Sequence, residues 1–385
     1  MIDYLIIGSG IAGLSAAKEI RKKDPQGRIV MVSKESQAPY YRTKLTKAIA
    51  SGETPEQLLL EKESFYRDQS IELRLDTKVE SIDFDKNQVS LEGGEVLSYN
   101  KLLIASGATP FVPGYESDDQ KNIFKMRTME DLLALREALP EITTALVVGG
   151  GLLGLEAAQA LHEKGVKVHV VEFADYLLVR QLDADTAQRL EKALEDHGFV
   201  LHTKNSLQKV EGDGKVQRVI LADGTSFDAD AVLFSVGVRS DVSLSFDTLE
   251  VNRGLVVDES LKTKRDNVWV AGDSAEVHGM TMGLWTASLE MGRIAGDNMT
   301  GGSATYDRPK LFTKLDIGDI KLFSAGFHDG DDLWVQEEGE ALEKLFFKEG
   351  RVIGGILYQN TKKMATINKL IDERTPKAEA IERMR

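Results

Sequence analysis

The sequence contains no cysteine. That single absence removes disulfides, thiolate metal sites, cysteine-ligated iron–sulfur centres and any thiol relay for electrons. No uninterrupted apolar run approaches the ~18 residues that a membrane span needs, and the opening MIDYLIIGSG begins at once on a strand pattern, which leaves no room for a signal peptide. Basic residues are in deficit. The chain has 48 Lys and Arg against 62 Asp and Glu, a formal net charge of -14, and no dense basic run, which argues against a nucleic-acid partner. The six histidines lack zinc-like spacing, and neither a Ser/His/Asp set nor a Walker phosphate loop is evident, so no metal site is expected. These absences predict a soluble, cytoplasmic protein that binds neither nucleic acid nor membrane.

What is present is a phrase written twice. Positions 6–15 read IIGSGIAGLS and positions 147–156 read VVGGGLLGLE. Each is a short apolar run, then glycines spaced GxGxxG (Gly8, Gly10, Gly13 and Gly149, Gly151, Gly154), then a helix-like segment. The physical reading is a strand, a tight turn and a helix whose unpaired first N–H groups face a pyrophosphate. The first glycine permits the turn, the second lets phosphate approach the backbone, and the third lets helix and strand pack closely. One such phrase is weak evidence; two, each followed about 20 residues later by a second apolar run (RIVMV and VKVHVV), predict two dinucleotide sites. Glu172 closes the second of these runs, placed to bond an adenosine ribose 2′-hydroxyl and to repel a 2′-phosphate, so NADH is expected over NADPH.

A length of 385 residues, 42% apolar and 29% charged, describes an ordinary globular chain of about two or three domains. The expected fold class is α/β, with two Rossmann-like dinucleotide-binding domains plus a small C-terminal α+β domain. Residues 1–110 and 236–305 form the first domain, 111–235 the second, and 308–385 the third. DADTAQRLEKALEDHG predicts a helix, KVQRVILADGTSFDADAVLFSVG a hairpin-like stretch, and NVWVAGDSAEV another strand-to-helix turn of the first domain. From 308 the pattern alternates in IKLFSAGF, LWVQEE and LEKLFFKEGRVIGGILY, then closes on an amphipathic helix, KKMATINKLIDER.

With both glycine phrases, the ASGATP stretch (Ala105, Ser106, Gly107) and VWVAGDSAEV (Gly272, Asp273) in that order, the chain resembles the flavoproteins of the pyridine-nucleotide-disulfide oxidoreductase superfamily. YYRTKLTK, LLVRQLD and VNRGLVVDESLKT look most like NADH:rubredoxin reductases, flavorubredoxin reductases and the flavin module of nitrite reductases. One departure matters. Disulfide reductases of that superfamily carry a CxxxxC pair after the second strand, and this chain has APYYRTKLTK instead. No residue here can hold electrons after the flavin, so they must pass directly to an outside acceptor.

The resemblance implies FAD and NAD(H) as cofactors. It places Gly8, Ser9, Gly10, Ile11, Ala12 and Gly13 around the FAD pyrophosphate, and Gly149, Gly151, Leu152, Leu153 and Gly154 around that of NADH. The acid expected at the end of the second strand is absent, which leaves Ser33, Lys34 or Glu35 for the adenosine end. Arg42, Val79, Ala105, Gly107, Gly237 and Gly272 match further cofactor-contact positions. Asp273 is expected on the ribityl chain, and Trp285 and Lys314 beside the isoalloxazine. Lys47 and Glu156 are expected to pair next to flavin N5, where neither charge is easily buried alone; the plainer reading of Glu156 is a carboxylate in the first turn of its helix. The implied function is electron transfer from NADH through FAD to a small redox protein, most readily rubredoxin, with a local positive patch of Lys44, Lys310 and Lys314 to receive it. A nitrite reductase or flavodiiron partner, oxygen as acceptor, and an NADH-sensing interaction flavoprotein remain open as alternatives.

Overall fold

Each glycine phrase sits where a parallel strand turns into a helix. The structure, a computed structural model, describes residues 1–114, 121–307 and 312–385. The strand Ile2–Ile7 lies at the centre of a parallel sheet with Ile71–Arg74 and Ile29–Val32 on one side and Val96–Ile104 and Val268–Val270 on the other. Its apolar run is nearly continuous because it is buried on both faces, as central parallel strands are. Helix Ile11–Lys23 lies on helix Trp285–Met299 with almost no room between them. A Cβ on Gly292 would stand 2.1 Å from the Ala12 carbonyl oxygen and one on Gly296 2.6 Å from that of Ala16, so small residues set this approach.

A second parallel sheet runs in the order Val200–His202, Lys167–Val171, Thr144–Val148, Ala231–Phe234, Ile123–Lys125. The chain leaves the first sheet at Ala108–Pro110 and returns at Val238–Ser240, and the two crossings pair antiparallel; the expected divisions at 110 and 235 fall beside this ribbon. The hairpin-like stretch divides. Arg218–Leu221 and Ser226–Asp228 do pair antiparallel, but Ala231–Phe234 joins the parallel sheet instead, as its fully buried run demands.

Val268–Val270 pairs with Val96–Ile104 of the first sheet, yet no helix follows it directly. A short turn, Gly272–Ser274, and the strand Ala275–Glu276 intervene. The buried Glu276 carboxylate accepts from Asn252 Nδ2 and from the Arg253 and Gly254 amides at 2.7–3.0 Å, which holds this strand beside Leu255–Val256. The last portion is a five-stranded antiparallel sheet covered by helices Met364–Asp372 and Lys377–Met384. Its first strand, Phe312–Ile317, and its last helix lie outside the stretches that the sequence pattern marks.

The apolar cores cut across sequence order. One fills the first sheet and its helices. Another joins Tyr40, Leu45, Ile49 and Leu58 to Leu155, Leu161 and Leu190 beneath the second sheet and to Leu315, Leu322 and Phe346 of the C-terminal sheet. A segment that follows the first cradle in sequence is thereby seated against the helix of the second. Among the described residues no helix is long and apolar enough to cross a membrane.

Candidate active site between two glycine turns

The two cradles share their backbone contacts at the first and third glycines. The Gly8 amide donates to the Val32 carbonyl at 2.8 Å and the Gly149 amide to that of Val171 at 2.8 Å. Both glycines have positive φ, +105° and +112°, and a Cβ on either would lie 2.1–2.4 Å from a neighbouring carbonyl oxygen, of Ala105 or Ser235. Cβ atoms on Gly13 and Gly154 would strike the Gly8 and Gly149 oxygens at 2.1 and 2.0 Å, whereas those on Gly10 and Gly151 would meet nothing within 4 Å. The outer glycines are therefore required by the fold, and the middle ones face open space where a pyrophosphate can approach. Neither helix has a side-chain cap or an acidic residue in its first turn. Their N–H groups and dipoles are left for an anion.

The floors differ. In the second cradle Glu172 accepts from the Gly150 amide and the Ala174 amide, both at 2.7 Å, so each oxygen of its carboxylate is anchored by backbone. In the first, Ser33 stands at the matching place and Ser9 Oγ donates to its hydroxyl at 2.8 Å. Lys34 is largely exposed, 3.7 Å from Asp241. Glu35 points elsewhere: it takes Arg42 at 2.7 Å and the Tyr40 hydroxyl at 2.5 Å. Burial opposes the Arg42 charge, but Tyr40 and Glu35 outweigh it and hold its pKa above the ordinary value; burial first, then Glu35, pushes the Tyr40 hydroxyl up. Half-buried Val79 follows Thr77, whose amide donates to the Ser33 carbonyl at 2.7 Å.

Asp273 lies in the turn after Val268–Val270 and accepts from Ser288 Oγ at 3.0 Å and from Arg127 Nη2 at 2.8 Å. A carboxylate has about four lone-pair sites, which leaves capacity for a hydroxyl of a bound ligand. Arg127 also receives Arg42 at its carbonyl, and a Cβ on Gly107 would lie 3.5 Å from its guanidinium. Arg127 thus ties Arg42 to Asp273 beside Gly107. Sequence reasoning missed it, since a lone arginine has no spacing signal; the capping box Thr128–Asp131 next to it, whose carboxylate also takes the Arg127 amide at 2.9 Å, was the available clue.

Lys47 and Glu156 meet, Nζ to Oε1, at 3.7 Å. Lys47 rides on helix Leu45–Ser51, which packs on helix Leu152–Glu163. Glu156 falls beyond the first turn of its helix, so the plain dipole reading does not apply. Its other oxygen accepts from Thr46 Oγ1 at 3.0 Å, a buried partner with no sequence signal. The two charges are unequally placed: the Lys47 side chain is 60% exposed and that of Glu156 12%.

Trp285 opens its helix and stacks on Tyr41, centroids 5.9 Å apart, with Lys44 Nζ 4.7 Å over the Tyr41 ring. With Ile11, Leu14 and Leu289 the pair lines a surface cavity of about 250 Å³. Lys314 stands exposed on Phe312–Ile317, pairs with Asp316 at 2.9 Å, and its strand lies against the Glu156 helix. Gly237, at φ +96°, begins the returning ribbon at the place that Gly107 holds in the outgoing one. Lys310 lies outside the described residues.

Two uncapped strand–turn–helix cradles of the same build, with the Lys47–Glu156 pair at the helix of the second, define the class of fold. The chain belongs to the pyridine nucleotide-disulphide oxidoreductase family, which matches residues 2–292; the rubredoxin NAD+ reductase C-terminal domain matches residues 312–375. FAD and NADH are the cofactors that this membership brings. The chain is 31% identical to a rubredoxin-NAD(+) reductase of Pseudomonas putida over 91% of its own length and 94% of that protein's. It is 28% identical to a nitrite reductase [NAD(P)H] of Bacillus subtilis over 92% of its length, and spans only 45% of that relative. The fold matches the ferredoxin reductase of Rhodopseudomonas palustris with a TM-score of 0.90 and 26% identity, over 98% of this chain and 97% of that one.

Proposed function

We propose that the protein takes hydride from NADH onto FAD and releases electrons singly to a small redox protein, with rubredoxin the favoured acceptor. The observation that carries this reading is the Lys47–Glu156 contact in a chain without cysteine. The pair links the second cradle's helix to the segment that follows the first parallel strands, which supports a place for it beside the reactive rings, and the chain has no thiol. Bound FAD supplies the conversion of a two-electron donor into one-electron steps.

The chain supplies alignment. Glu172 holds the adenosine ribose of NADH, the first-turn amides at Leu152 and Leu153 take its pyrophosphate, and Glu156 with Lys47 fixes the polarity beside the nicotinamide. Asp273 and Arg127 orient the FAD chain, and the Trp285 helix N-terminus offers a positive dipole end to charge gathered on the reduced ring. Exposed Lys44 and Lys47 give an acidic acceptor a local positive edge despite the overall negative charge. Similarity to a rubredoxin-NAD(+) reductase along almost its whole length supports rubredoxin. A second reading, a flavin module feeding a nitrite reductase, draws on the relative of which this chain spans about half.

Steady-state NADH oxidation with rubredoxin, a nitrite-reductase partner, quinone and oxygen offered in turn tests the choice. Rapid turnover with rubredoxin and slow turnover with oxygen are expected. Turnover that is rapid only with oxygen or quinone overturns the reading.

A further inference from the structure

Phe173 is 84% exposed, the most open of the large apolar side chains among the described residues. A single exposed apolar side chain needs no explanation by itself; its neighbours supply one. Phe173 directly follows Glu172 at the open end of strand Lys167–Val171, and the backbone on both sides is tied down. The Glu172 amide donates to the His202 carbonyl at 3.0 Å, the Ala174 amide to the Glu172 carboxylate at 2.7 Å, and the Lys204 amide to the Ala174 carbonyl at 2.9 Å. The ring is therefore offered to solvent from a fixed backbone, one residue from the carboxylate expected to hold a ribose. In an adenosine the purine is bonded to the carbon next to the one bearing the 2′-hydroxyl. A ribose gripped by Glu172 carries its base on the neighbouring carbon, and purines stack on aromatic faces.

We propose that Phe173 is a stacking platform for the adenine of the dinucleotide held at the second cradle. This rests on the second cradle being the NADH site. The same aromatic face serves NAD+ as well as NADH, so free ADP-ribose competes with both.

The probe is ADP-ribose, titrated calorimetrically into FAD-loaded wild type and into Phe173→Ala, Phe173→Leu and Phe173→Trp, with thermal unfolding of each ligand-free variant as the control for folding. Because Phe173 packs on no core, all four should unfold at the same temperature. The Ala variant is expected to raise Kd about tenfold, within the range of base–aromatic stacking; Trp should stay within about twofold of wild type, and Leu should bind nearly as poorly as Ala. An Ala variant that binds as wild type does, or a Leu variant indistinguishable from it, overturns the platform. Wild-type protein that ignores ADP-ribose overturns the assignment of the second cradle as well, which separates the two failures.

Discussion

Lys47 and Glu156 are unequal partners, and their inequality decides what each substitution does. Lys47 keeps most of its hydration, so its ion pair contributes less than about 1 kcal/mol to stability. Lys47→Ala should leave the unfolding temperature nearly unchanged yet slow flavin reduction by NADH roughly ten- to a hundredfold, the scale of a small misplacement of reacting atoms; stopped-flow absorbance measures this, and an unchanged rate with an unchanged flavin spectrum removes the pair from catalysis. This pairing is readable in the sequence only through resemblance, because nothing local links the two positions. Arg127 and Thr46 escape even that reading, since a single arginine and a single threonine look like ordinary surface and helix residues. His169 escapes it too. It is 6% exposed, 3.1 Å from His202, and stacked on Phe227 at 3.8 Å. Burial, then the nearby His202 and Lys167, push its pKa from 6.5 down to about 4. Between those values the unfolded chain binds more protons than the folded one, so stability is lost as pH drops through that window, and the full penalty of on the order of 3 kcal/mol is reached below about pH 4. Urea titrations at about pH 7.5 and about pH 5 should differ by about 2 kcal/mol from this group, and His169→Phe, which keeps a ring in the stack, should remove most of that difference. An unaltered slope would place the acid sensitivity elsewhere.

The strand–turn–helix cradle is the element that sequence reveals best, because three glycines serve three separate geometric needs at fixed spacing. Those needs can be pulled apart experimentally. A methyl group on Gly154 would stand 2.0 Å from the Gly149 oxygen, so Gly154→Ala forces helix from strand and should cost about 1–3 kcal/mol. Gly151 has φ -80° and open space around its Cβ position. Gly151→Ala should therefore leave thermal unfolding unchanged while weakening NADH binding at least about tenfold, because its methyl would stand where the proposed reading brings the pyrophosphate. Calorimetric unfolding and NADH titration of the two variants check the contrast, and equal effects on stability would contradict it. The elements that sequence obscures are those whose conformation depends on distant partners. Ala231–Phe234 follows a hairpin in sequence but is drawn into the parallel sheet by its neighbours Thr144–Val148 and Ile123–Lys125. Ala275–Glu276 occupies the place of an expected helix because a buried carboxylate finds three donors from residues 252–254.

At the scale of the whole molecule, the layout of two parallel sheets and an antiparallel cap follows from the order of motifs, but the way these parts adhere does not. Composition reports ample apolar residues without saying that Tyr40, Leu45 and Ile49 pack beneath the second sheet, and it gives no hint of Lys344. That lysine lies on Ala341–Lys348 of the C-terminal sheet with its side chain 2% exposed, and it reaches Asp183 and Asp185 at 2.6 and 2.7 Å at the start of helix Ala184–Asp196. Asp183 also caps that helix through Thr186. Burial raises the Asp183 pKa, but Lys344 and Thr186 outweigh it and hold the carboxyl below its ordinary range; the stability that it contributes is present above about pH 4 and is lost as pH falls through the depressed value. Removing the cation leaves the Asp183 and Asp185 carboxylates, 23% and 57% exposed, without Lys344 between them. Lys344→Ala should cost about 3 kcal/mol, near the low end for a broken buried pair because the aspartates retain some access to water. Its more telling effect is on cooperativity: scanning calorimetry should show the C-terminal sheet melting ahead of the two dinucleotide sheets, where wild type melts with them. Lys344→Met, which keeps the buried stem without the charge, should separate the transitions less. If Lys344→Ala lowers a single transition without splitting it, the apolar seam rather than this ion pair couples the cap to the second sheet.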